Sequence, residues 1–196
     1  MAKRDFPQLV ECLARPTHIA EHLDGLGNAA RVEQTCALQL GHMKRLWEMV
    51  ENAHPLTLDH FVGADRAPME EVVHWGKNGL PAFRRFQKRF LRPSEGADEL
   101  WGYNEQTMRH FTGPGYFVTH ESDHADTPVW INYTKLPPGK APQWPAILPN
   151  SARLSRVIYH GTVDRMRKVS EHVSIGAAFK KDKPIGAYFL LCRDAQ

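Results

Sequence analysis

Apolar residues recur at steps of three and four through most of the first half of the chain, and in short dense runs near its end. The spacing of Val32, Cys36, Leu40, Met43, Trp47 and Val50 puts one apolar stripe on a helix over residues 29–53. Asn28 is the N-cap of that helix and His54-Pro55 its stop, because a residue before proline avoids the α region. Upstream, Asp5, Pro7 and Gln8 read as an N-cap, a first-turn proline and a capping-box partner. Pro16 ends that short helix, Thr17 caps the next, and Gly25 closes it. Further helices are expected over about 65–75, 80–91 and 98–112, the second ended by Arg92-Pro93.

The pattern changes at Gly113-Pro114-Gly115, which is turn chemistry. Residues 116–121 and 129–134 read as paired antiparallel strands around the polar turn 122–127. Five prolines between Leu136 and Asn150 make a stiff extended loop that Trp144 pins to the body. An apolar stripe of Leu154, Ile158, Met166 and Val169 predicts a helix over 152–170. Residues 173–179 and 185–192 flank a polar turn as a second hairpin, whose last strand is apolar on both faces and should be covered by helices. The expected fold is therefore α+β. Residues 1–112 are mainly helical, and 113–196 form hairpin, loop, helix and hairpin, so that N-terminal helices pack on a small four-stranded antiparallel sheet in a single domain, 1–196.

Composition narrows the function classes. The net charge of +3 is too small to imply a specific nucleic-acid partner. No window is long and apolar enough for a transmembrane segment, and no apolar run follows the basic start, so no targeting peptide is read. Cys12, Cys36 and Cys192 lie far apart and are odd in number, which fits a reducing, cytoplasmic setting better than a disulfide framework. The free edges of a small sheet leave room for a homodimer. Dinucleotide, Walker A, His-Glu-x-x-His and Gly-x-Ser-x-Gly motifs are absent, and no cofactor is indicated.

Several groups of residues remain as candidates for chemistry. His160 and Asp164, four apart on the expected helix, can form a general base and the carboxylate that orients it, or an ordinary surface pair. His120, Tyr133, Arg156 and His172 are candidate ligand-binding groups in a pocket between the C-terminal sheet and the helices, with Arg156 as an anion anchor. Around Phe83, Phe86 and Phe90, the cations Arg84, Arg85, Lys88, Arg89 and Arg92 would make a basic amphipathic helix over 80–92. Such a helix would suit an acidic partner in a regulatory role, or simply present a solvated back. His120, Asp123 and His124 within 120–126 carry metal-ligand chemistry on what also reads as a polar hairpin tip in this histidine-rich chain. The sequence does not decide whether the protein is an enzyme. Its residues favour a small-molecule-binding domain, with the interaction protein and the metal-dependent enzyme as alternatives.

Overall fold

The computed structural model describes residues 4–79, 84–95, 98–106, 113–150 and 161–194. It corrects the expected α+β fold. Eight antiparallel strands, each hydrogen-bonded to its neighbours in chain order, close into a barrel when the last pairs with the first. They are β1 (Val72–Asn78), β2 (Arg85–Leu91), β3 (Glu99–Glu105), β4 (Phe117–Glu121), β5 (Val129–Asn132), β6 (Thr162–Lys168), β7 (Val173–Lys180) and β8 (Lys183–Arg193). Among the described residues four α-helices precede them: α1 (Phe6–Glu11), α2 (Pro16–Asp24), α3 (Asn28–Ala37) and α4 (Leu40–Met49). Closure leaves no sheet edge, which removes the physical basis on which a homodimer was expected.

Where they are described, the spans of the helices expected over 65–75, 80–91, 98–112 and 152–170 hold the strands β1, β2, β3 and β6 with turns beside them, and no helix. Both hairpins of the C-terminal half are present at the expected places, as β4–β5 and β7–β8. Lys181 and Asp182 carry φ of 50° and 60°, which matches the twist of a two-residue primed turn between β7 and β8.

Asp5 caps α1 with a full capping box, accepting from the Gln8 amide while the Gln8 side chain accepts from its own. Pro16 does not end that helix. It opens α2, where a missing N–H is harmless, and α2 closes at Gly25. The single helix expected over 29–53 is broken at Leu38 and Gln39, both extended. An unbroken rod of that length would span about 37 Å and leave the curved barrel wall. The break lets α3 and α4 both lie on β8, and Leu38 is fully buried there. Arg31 fastens the end of α2 by donating to the carbonyls of Leu23 (3.0 Å) and Leu26 (2.7 Å).

Alternation along the strands builds one core under the helices and one inside the barrel. Outward Val173, Ile175, Leu190 and Cys192 pack under the helices with Phe6, Ile19, Met43 and Leu46. The last strand is thus apolar on both faces because one face meets the helices and the other, through Phe189 and Leu191, lines the interior. Inward Val72, Phe90, Leu100, Val129, Ile131 and Met166 join Leu56, Leu58, Phe61 and Val62, whose segment plugs one end of the barrel. Arg193 and Arg92 staple that plug by donating to the carbonyls of His60 (2.9 Å) and Val62 (2.9 Å). The proline-rich loop is held by Trp144, which is buried against Tyr103 and Tyr116 and donates to Glu71.

Candidate functional site in the barrel interior

In β2 the register sends Phe86, Lys88 and Phe90 inward and Arg85, Gln87, Arg89 and Leu91 outward. A lysine therefore stands inside the barrel, and it is only 2% exposed. Asn104 is its direct partner on β3 and Asp164 projects inward from β6, while Tyr133 immediately follows β5 and continues its ladder to Thr162. Four strands on opposite sides of the barrel thus deliver four polar groups to one place.

The ammonium of Lys88 donates to Asn104 Oδ1 (3.0 Å), to the Tyr133 hydroxyl and to Asp164 Oδ2 (3.4 Å), which accounts for all three of its protons. Asn104 is aimed by its own amide, which donates to the Gly115 carbonyl at 2.9 Å. Tyr133 is anchored through its backbone, since the buried Asn150 amide donates to the carbonyls of Tyr133 (2.8 Å) and Tyr116 (2.7 Å).

Aromatic rings complete the walls. Lys88 Nζ lies 4.9 Å from the ring centres of Phe117 and Tyr133, 5.0 Å from Phe189 and 5.7 Å from Phe86. Each of the three phenylalanines sits across from a glycine: Phe86 from Gly76, Phe117 from Gly102, Phe189 from Gly176. A Cβ at any of these glycines would overlap the facing ring, so the rings lie along the wall where a side chain would otherwise stand.

Electrostatics push the pair toward neutrality. Burial lowers the Lys88 pKa to about 8 although Asp164 opposes the shift. Burial raises Asp164 above its ordinary value, against the pull of Lys88 and of the Tyr133 hydroxyl. The arrangement can hold a proton on nitrogen or release it within hydrogen-bond reach of a carboxylate and a phenol. That is what an amine nucleophile or a proton relay requires.

The residues singled out in the sequence are dispersed differently. Asp164 does not act at helical spacing, because it lies on β6; His160 and Arg156 lie outside the described residues. Tyr133 is in the cluster. His120 points outward beside Trp130 and donates from Nδ1 to the Glu121 carbonyl, and His172 sits beside Arg193 in the β6–β7 turn. The basic helix over 80–92 is strand β2, so its cations part company. Lys88 faces inward; Arg89 pairs with Glu71 (2.6 Å), Arg92 pairs with Asp59 (2.8 Å), and Arg84 and Arg85 are exposed. His124 stacks on Trp130 with ring centres 5.0 Å apart. Among the described residues no group of three or more His, Cys, Asp or Glu converges in a way that could hold a metal ion.

Asn104 and the inward role of Lys88 escaped the sequence reading. The available signal was the alternation Phe86, Lys88, Phe90, which is strand-like once a charged residue is allowed to face inward. Among the described residues no helix is long and apolar enough to cross a membrane. The chain matches no family model, no curated protein and no solved structure.

Proposed function

We propose that the barrel binds a small, mainly apolar molecule bearing one neutral carbonyl group, whose oxygen accepts from Lys88 and Tyr133 by displacing one of the ammonium's present acceptors. The observation that carries this reading is the fully buried lysine, paired with a buried carboxylate inside an aromatic enclosure. Desolvating two such charges costs several kcal/mol per ion, and well-packed apolar residues would serve stability as well or better. A perturbed lysine and carboxylate held in an interior are characteristic of sites that do chemistry or binding. An eight-stranded barrel is wide enough to be filled by side chains or to hold one small ligand. The choice of a neutral carbonyl follows from charge. Asp164 already balances Lys88, so an anionic ligand would leave a net buried negative charge, whereas a carbonyl only accepts a hydrogen bond.

The test is titration with prodan, a neutral naphthyl ketone whose emission shifts to the blue in apolar surroundings. The expected result is saturable one-to-one binding that weakens by about tenfold or more in Lys88→Met, the loss of one charge-assisted hydrogen bond. Affinity unchanged in both Lys88→Met and Tyr133→Phe would refute a carbonyl site at this cluster.

A further inference from the structure

Resting on that reading, we infer that Lys88 captures an aldehyde or ketone covalently as an iminium, with Tyr133 and Asp164 moving the protons. Among the described residues Lys88 is the one lysine whose nitrogen lies among a phenol, a carboxylate and four aromatic rings.

Each group has a step to perform. The ammonium gives a proton to Asp164, and the free amine adds to the carbonyl carbon. A C–N bond forms while the carbonyl π pair moves to oxygen, which takes a proton from the Tyr133 hydroxyl. The nitrogen next gives one proton to the Tyr133 phenolate, and the lone pair so freed expels the hydroxyl, which leaves as water by taking the proton held on Asp164. A remaining hydrogen stays on nitrogen. The balance is ammonium plus carbonyl giving iminium plus water, with no oxidant or reductant.

Charge is conserved across the reaction. The iminium replaces the ammonium as partner of Asp164, so no buried charge is created or stranded. The rings of Phe117, Tyr133 and Phe189 that face the ammonium attract the iminium in the same way. A lysine held at an ordinary pKa in water would have little free amine at neutral pH. Burial in this enclosure raises that fraction, as amine nucleophiles require. Asn104 acts as a positioning residue, holding the nitrogen by Oδ1 while its amide is fixed to Gly115.

The experiment incubates the intact chain with cinnamaldehyde at neutral pH, reduces with cyanoborohydride and maps the labelled lysines by peptide mass. The exposed Lys181 in the β7–β8 turn is the internal reference. The expected result is labelling of Lys88 at least about tenfold faster than Lys181. Tyr133→Phe should slow Lys88 by about tenfold to a hundredfold without changing Lys181. Before reduction, the conjugated iminium gives a red-shifted absorbance band while protonated, and Asp164→Asn should make that band vanish at lower pH than in the unmodified protein. Labelling of Lys181 with Lys88 untouched would overturn the inference. If prodan still binds in that same preparation, the binding reading survives and only covalent capture fails; if neither prodan nor aldehyde engages the barrel, both fall.

Discussion

Replacing Lys88 and Asp164 singly and together separates a site from a structural tie. Lys88 is 2% and Asp164 6% exposed, so neither substitution is relieved by water. The fall of the Lys88 pKa from 10.5 to about 8 corresponds to about 3 kcal/mol of burden on its charged form. Lys88→Met removes that burden but strands the Asp164 carboxylate, which should cost about 3–5 kcal/mol at neutral pH. Since Asp164 already has a raised pKa, the penalty is full above its folded-state value and is relieved as pH falls through that value. The double variant Lys88→Met with Asp164→Leu leaves no buried charge and should match the unmodified protein or exceed it by about 1–4 kcal/mol. Urea unfolding followed by tryptophan fluorescence reads all four proteins. The unmodified protein should also gain stability between about pH 8 and 10.5, because there the unfolded chain binds the Lys88 proton that the folded one has released. Lys88→Met should lack that rise. A double variant less stable than either single variant would refute the reasoning and make the pair a structural keystone.

Two further outcomes follow from the plugged end and the walls. His74 is fully buried, Nε2 donates to the Phe61 carbonyl at 2.9 Å, and burial drives its pKa down to about 3, while His60 beside it is also lowered well below the usual value. The unfolded chain therefore binds more protons below pH 6.5, and about 5 kcal/mol of stability at His74 alone is lost progressively as pH falls from about 6.5 toward 3. His74→Phe should cost about 1 kcal/mol at neutral pH yet outlast the unmodified protein in an acid titration followed by circular dichroism; parallel acid curves would contradict this. Gly102→Ala sets a Cβ against the Phe117 ring and 2.5 Å from the Arg89 carbonyl oxygen, a main-chain atom that cannot swing aside. It should destabilise by about 1–3 kcal/mol in urea unfolding and weaken prodan binding, because Phe117 faces Lys88.

The sequence determined by itself the features that local chemistry specifies: the capping box at Asp5, the two hairpins of the C-terminal half, the apolar two-faced last strand and the tryptophan pin in the proline loop. Their signals lie within a few residues of one another, so a short window contains them. Strands β2, β3 and β6 were hidden for one shared reason. Each spends an inward position on a polar residue of the cluster, namely Lys88, Asn104 and Asp164, and each inward polar residue erases the alternation that marks a strand. What remained, such as Phe83, Phe86 and Phe90, then fell at helical spacing. Only tertiary structure could decide between the two periods, because barrel closure rewards a strand with hydrogen bonds from partners far along the chain, β8 to β1 most of all. The same closure brings together Lys88, Asn104, Tyr133 and Asp164 across separations of 16 to 76 residues, which no local spacing records.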